Sequence, residues 1–157
     1  FDEHFEYVVR SLARLGAPAR EVEDLAQDVF VVAHRLSGRY DRARPIRPWL
    51  FGITFNVFRD WSSRASTRNE RLLDHEIDSS QTDPAIRRIE AAQLVHRALR
   101  SIPELRRAVF VLHDLDEVPM AEVAAQLEIS QNTGYARLRT ARAEFREAVI
   151  RLHRGAA

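Results

Sequence analysis

Apolar residues recur three and four positions apart along most of the chain, and no stretch alternates with period two. Phe5, Val8, Val9, Leu12 and Leu15 share one face, which predicts a helix from about Asp2 to Leu15 that Gly16 ends. Pro18, a favoured first-turn residue, opens a second helix to about Leu36 with core positions Val22, Leu25, Val29, Val32 and Leu36; Gly38 stops it. A third, from about Pro48 to Arg64, is unusually aromatic, with Trp49, Phe51, Phe55, Phe58 and Trp61. Periodicity fails over residues 66–83, and Ser79-Ser80-Gln81-Thr82-Asp83 has the composition of a linker. Asp83-Pro84 restarts helix as cap and first-turn proline, running to about Arg100; Ser101-Ile102-Pro103 breaks it, and another helix covers about Pro103 to Leu115. The pattern predicts an all-α protein of two small helical domains, residues 1–66 and 84–157, joined by a flexible linker over 67–83.

The segment after Pro119 carries the most specific signal, a helix-turn-helix. Val123, Ala124 and Leu127 place an apolar stripe on a first helix, and Ile129 in a short turn can plug the space between the pair. Ser130 is a suitable N-cap for the second helix, in which Leu138, Ala141 and Phe145 can face inward. Gln131, Asn132, Tyr135 and Arg139 share a different face near its start, flanked by Arg137 and Arg142. Amide and guanidinium groups reaching from the beginning of a helix suit the major groove of duplex DNA. An ordinary helical hairpin with a solvated basic face is the alternative.

Charge sharpens this picture. The net charge of +1 conceals blocks of −4 over residues 1–34, +6 over 35–71, −5 over 72–128 and +4 over 129–157. Two basic blocks that alternate with two acidic ones suggest two contacts with a polyanion and two surfaces that avoid it. All 24 basic residues are arginine, so every cation is capable of planar, bidentate contacts. The absence of cysteine excludes disulfides, thiolate metal sites and cysteine nucleophiles, and fits a reducing cytosol. No stretch approaches the roughly 20 apolar residues of a membrane span, so no membrane insertion is expected, and no signal peptide is visible. The chain opens at Phe1 rather than methionine, so further residues are expected before it.

Three groups invite chemistry beyond the hairpin. The loop over residues 38–48 carries Arg39, Arg42, Arg44 and Arg47 beside the aromatic helix, and aromatics next to cations form stacking platforms for unpaired bases. Tyr40, Trp49, Asn56 and Arg59 are the candidates, while most of the other rings are expected to be core. Glu21, Glu23, Asp24 and Asp28, with Gln27 among them, form either a solvated face or a docking stripe for a basic protein. His113-Asp114 echoes the paired ligands of HD-type metal hydrolases, but no two of the six histidines have the spacing that shares a helix face. No phosphate-binding glycine loop or nucleophile elbow is present, so no enzyme, metal or cofactor is expected.

Across nearly its whole length the chain resembles the extracytoplasmic-function class of bacterial sigma factors. Glu23-Asp-Leu-Ala-Gln-Asp-Val-Phe30 resembles the acidic core-binding motif of conserved region 2; Arg39-Tyr-Asp and Pro48-Trp-Leu-Phe-Gly-Ile-Thr-Phe-Asn56 resemble the segment that melts the promoter −10 element. Ile102-Pro-Glu-Leu-Arg-Arg-Ala-Val-Phe110 and the hairpin ending at Arg142 resemble region 4. The resemblance implies that Asp24, Gln27 and Asp28 bind the β′ clamp helices of core RNA polymerase and that the chain also meets the β flap. It implies that the loop Tyr40–Pro48, with Arg42, Arg44 and Arg47, holds a flipped −10 base, with Trp49, Asn56 and Arg59 against the melted strand. Gln131, Asn132, Tyr135, Arg137, Arg139 and Arg142 would contact the −35 element. The linker would thread near the polymerase active centre, an anti-sigma factor is an expected partner, and the cytoplasm is the expected location. The rival is a helix-turn-helix regulator acting on duplex DNA without core polymerase. The sequence departs from the family's pattern at Gly52, where a basic or bulky residue is common. It departs again at Glu128, where the turn often has glycine, and at Gly134 and Tyr135, so its −35 preference is its own.

Overall fold

The computed structural model describes residues 2–67 and 83–155, arranged as helices throughout. The first unit comprises α1 (Asp2–Leu15), α2 (Ala19–Arg35) and α3 (Ile46–Thr67). The second comprises α4 (Pro84–Arg100), α5 (Glu104–Phe110), α6 (Met120–Leu127) and α7 (Gln131–Gly155). Each expected helix is present. Two differ in extent: α3 begins two residues earlier, and the helix expected over 103–115 is α5 followed by a wider π turn over Val111–Leu115. Except for Thr67 and Asp83, the expected linker lies outside the described residues.

Local chemistry accounts for the boundaries. The Asp83 side chain accepts a hydrogen bond from the Ala85 amide at 3.0 Å and caps α4. Ser130 Oγ accepts from the Thr133 amide at 3.1 Å and caps α7. The turn between α6 and α7 passes through Glu128 in the left-handed conformation, at φ 56° and ψ 46°. The geometry is thus the one glycine would adopt, held by a residue that strains to adopt it. Glu128→Gly is expected to stabilise the protein by about 1 kcal/mol, the relief of strain outweighing the added freedom of the unfolded chain. Urea denaturation would read this as a higher midpoint at unchanged slope; a lower midpoint would refute the strain argument.

The two units share one continuous hydrophobic cluster. In the first, Leu12, Val29, Phe51 and Phe58 fill the space among α1, α2 and α3; in the second, Leu99, Ile102, Leu112, Val123 and Leu138 do the same. Polar contacts bridge them. Arg107 is 8% exposed. Its guanidinium donates to the carbonyl of Leu15, to that of Ile102 at 3.0 Å and to that of Arg100 at 3.3 Å. Leu15 and Arg100 are the last residues of α1 and α4, and Ile102 follows just after, where a cation is favoured. Burial pushes the Arg107 guanidinium down to about 10, partly offset by Glu104, so it remains charged at neutral pH. The Tyr7 hydroxyl donates to Asp116 at 2.7 Å, and Arg14 pairs with the same carboxylate at 3.0 Å. Burial first, then Asp116, keeps the Tyr7 phenol protonated well above its ordinary range. Ser62 donates to Glu104 at 2.5 Å. At Gly52 on α3, an added Cβ would stand 3.1 Å from the carbonyl oxygen of Gln126 on α6, so the helices approach closely only because no side chain intervenes.

Candidate nucleic-acid interface

Three surfaces emerge from these helices. On α2, Val22, Leu25, Ala26 and Val29 turn inward, which leaves Glu23, Asp24, Gln27 and Asp28 exposed on the opposite side. Asp24 and Asp28 stand one turn apart, and none of the ion pairs among the described residues uses either. The stripe is an exposed anionic surface on a rigid scaffold.

The arginine loop is held in shape by its own backbone. The Ala43 amide donates to Asp41 Oδ1 at 2.9 Å, and the Arg44 amide donates to the Asp41 carbonyl at 3.0 Å. Tyr40 donates its hydroxyl to the Arg44 carbonyl at 2.6 Å and packs its ring on Trp49, centroids 4.8 Å apart. Arg42 and Arg44 are therefore displayed from a closed turn and are exposed, as is Arg47, whose guanidinium lies 5.2 Å from the Tyr7 ring centroid. Trp49 is half-buried against Tyr40 rather than standing open as a platform. Phe51, Phe55 and Phe58 are core, as expected of most rings in this helix. Asn56 and Arg59 are exposed, with Arg59 5.5 Å from the Phe55 ring centroid. The structure therefore brings Trp49, Asn56 and Arg59 onto one side of α3, next to the loop.

On α7, Leu138 and Ala141 are buried and Phe145 packs on Phe110 at 4.9 Å. That orientation leaves Gln131, Asn132, Tyr135 and Arg139 exposed, Tyr135 at 50%. Gly134 lies against Met120. Arg137 is half-buried, so it stands at the margin of the exposed face. Arg142 is exposed but engaged: Nε and Nη2 donate to Asp114 at 2.7 and 2.8 Å. His113 Nδ1 lies 2.7 Å from Oδ1 of the same carboxylate. Asp114 thus pairs with both His113 and Arg142, and no three His, Cys, Asp or Glu side chains converge on a possible ion among the described residues.

Sequence reasoning missed two residues here. Asp114 orients Arg142, a pairing across 28 positions that no local spacing reveals. Arg146 lines the same groove as Tyr135, Arg139 and Arg142. Its position four residues beyond Arg142 was a legible signal. The Arg142 contact first, and His113 after it, hold the Asp114 carboxyl below the usual carboxylate range. A depressed carboxylate pKa contributes stability above its unfolded value and loses it as pH falls through the folded one. Wild type is accordingly expected to exceed Asp114→Asn by up to about 1 kcal/mol at neutral pH, with the gap closing in acid. Thermal melts of both proteins across pH would check it, and a gap that widened in acid would contradict the assignment.

Residues 1–68 match the Sigma-70 region 2 family and residues 92–145 match Sigma-70 region 4. The chain is 30% identical over 161 residues to the ECF RNA polymerase sigma factor SigM of Mycobacterium tuberculosis, covering 99% of this chain and 80% of that one. It is 30% identical over 153 residues to the RNA polymerase sigma factor CnrH of Cupriavidus metallidurans, covering 90% and 80%. The fold is similar to that of CnrH in complex with the cytosolic domain of CnrY (TM-score 0.67, 28% identity, 93% and 82% covered). It is also similar to that of the sigma factor RpoE in complex with the anti-sigma factor NepR from Bartonella quintana (TM-score 0.72, 18% identity, 93% and 91% covered). The chain belongs to the extracytoplasmic-function RNA polymerase sigma factors. Among the described residues no helix is long and apolar enough to cross a membrane.

Proposed function

We propose that this protein binds core RNA polymerase through Asp24, Gln27 and Asp28 and directs it to promoters, with no catalysis of its own. The loop Tyr40–Pro48, with Arg42, Arg44 and Arg47, takes up an unpaired −10 base, and Trp49, Asn56 and Arg59 lie against the melted strand. Gln131, Asn132, Tyr135 and Arg139 read the −35 element in the major groove, while Arg137 and Arg142 contact mainly phosphates. One observation carries the reading. An exposed acidic stripe, an arginine loop beside an aromatic helix, and a capped helix with exposed amides occur together, in the order of regions 2 and 4. Structures of similar fold hold a second protein, named an anti-sigma factor in the RpoE complex. This supports a partner of that kind here, in the cytoplasm where the polymerase works.

Run-off transcription with purified core and a genomic library of promoter fragments tests the proposal. Folded protein that never supports initiation would remove it. The division of labour on α7 has its own consequence. Arg139→Ala is expected to change which −35 bases are selected and to cost about 1–3 kcal/mol on the preferred site. Arg142→Ala is expected to weaken all duplexes alike and to lower the salt slope by about one. Selection from random duplexes separates the two, and an unchanged preference for Arg139→Ala would reject the assignment.

A further inference from the structure

Three arginines follow one another along the exposed side of α7. At roughly 100° per residue, Tyr135, Arg139, Arg142 and Arg146 fall within about 60° of one another. Together they line one groove. Their states differ. Neither Arg139 nor Arg146 has a hydrogen bond or ion pair among the described residues. Arg142 is held, but on one side only. Asp114 takes Nε at 2.7 Å and Nη2 at 2.8 Å, which is the side edge of the guanidinium. A guanidinium carries five N–H donors in a fixed plane. The end-on fork, one N–H on Nη1 and the second on Nη2, stays available, and the Arg142 side chain remains 52% exposed.

The carboxylate that holds it is itself fixed. His113 Nδ1 lies 2.7 Å from Asp114 Oδ1, and the Asp114 side chain is largely buried. Both residues stand on the π turn Val111–Leu115, a widening that recurs at functional positions in helices. The Arg142 contact keeps the Asp114 carboxyl below the usual carboxylate range, so it is ionised at neutral pH. Arg142 also lines two grooves. One contains Asp114, Phe110 and Phe145, and the other contains Tyr135 and Arg139. The side chain thus reaches from its carboxylate to the face proposed to meet DNA.

We propose that Asp114, which lies off α7, is a positioning residue for duplex binding. It holds Arg142 with the free fork turned to the groove of Tyr135 and Arg139, where two parallel bonds clamp a phosphate. Arg139 and Arg146 give up side-chain freedom when they bind, whereas Arg142 has given it up already. A clamped phosphate anchors the helix against the DNA backbone while other residues read bases. The inference rests on the reading of α7 as the duplex-binding helix.

The charge of Asp114 gives the test its sign. Removing an anion beside a DNA-binding face favours binding by charge alone. A loss of affinity in Asp114→Asn, which keeps Arg142 and raises the net positive charge, therefore reports lost orientation. Anisotropy of a short fluorescein-labelled duplex of mixed sequence reads it, because phosphate contacts are independent of sequence. Asp114→Asn is expected to bind several-fold more weakly than wild type with a salt slope no shallower, whereas Arg142→Ala lowers the slope by about one. In an Arg142→Ala background the same change should cost no affinity, since the fork that Asp114 orients is gone. A gain or no change in affinity for Asp114→Asn overturns the proposal. So does an equal loss with and without Arg142, which would make Asp114 part of the scaffold alone. If wild type binds no duplex, free or on core polymerase, the reading of α7 fails and the inference falls with it. If wild type binds and only the Asp114→Asn result fails, that reading stands without the inference.

Discussion

Phe51→Ala is expected to remove about 3–5 kcal/mol of folding stability, the largest loss of any substitution considered. The Phe51 side chain is fully buried, in the helix that packs against both α1 and α2. Its removal deletes the transfer free energy of a whole ring. It also leaves a cavity that the three surrounding helices can only partly collapse into. Natural domains have about 5–15 kcal/mol in total, so the variant would sit near the edge of folding. Urea denaturation followed by circular dichroism measures this. A loss under about 1 kcal/mol would mean that the site is far less tightly packed than the structure has it. The cost is paid in the first unit, so the variant should lose strand contact and polymerase docking together, as a consequence of unfolding rather than of a missing contact.

The second large effect is one of binding without stability. Asp24→Arg together with Asp28→Arg reverses the exposed stripe of α2 while leaving Val22, Leu25, Ala26 and Val29 in place beneath it. Exposed substitutions away from special features usually change stability by less than about 0.5 kcal/mol, so the melting temperature should stay close to wild type. Co-elution with core polymerase should be abolished, because two attractive charges become two repulsive ones at a surface that gains nothing in return. A variant that melts much lower and still co-elutes would give these carboxylates a structural role instead. The contrast with Phe51→Ala is the useful part: one substitution removes the scaffold, the other only what it displays.

The helices were legible in the sequence because each carries an apolar face that has to be buried. The face of α1 from Phe5 to Leu15 specified that helix to the residue. The α7 cap was equally legible, since Ser130 sits immediately before the periodic run. The exposure of Gln131, Asn132, Tyr135 and Arg139 followed from the inward face of Leu138, Ala141 and Phe145. Contacts between distant positions were not legible. Nothing local ties Arg107 to the end of α1, or Asp116 to Tyr7, 109 positions away. The π turn over Val111–Leu115 was hidden because its apolar spacing reads as ordinary helix. The pairing of Arg142, read from the sequence only as a flank of the −35-reading face, was not legible because only the fold brings Asp114 beside it. Gly52 and Glu128 were legible as departures from a pattern, but not in their meaning. Only the structure has Gly52 under a neighbouring backbone and Glu128 in a left-handed turn.

The length of α7 has a mechanical consequence. Its 25 residues run without a break from the exposed residues at Gln131 to the far end. Near its middle Arg106 clamps Glu144 with bonds of 2.6 and 3.0 Å; beyond that Ala148 is buried and Arg151 reaches Ser101. From Ala148 back to Gln131 is about 25 Å of rigid rod at 1.5 Å per residue. A tilt of about 10° about Ala148 would swing the tip by roughly 4 Å, more than the 3.4 Å rise of one base step along a DNA strand. Contacts along the second half of this rod thus help set the aim of its first turns, so that residues touching no nucleotide would share in fixing the register in which the proposed reading face meets bases.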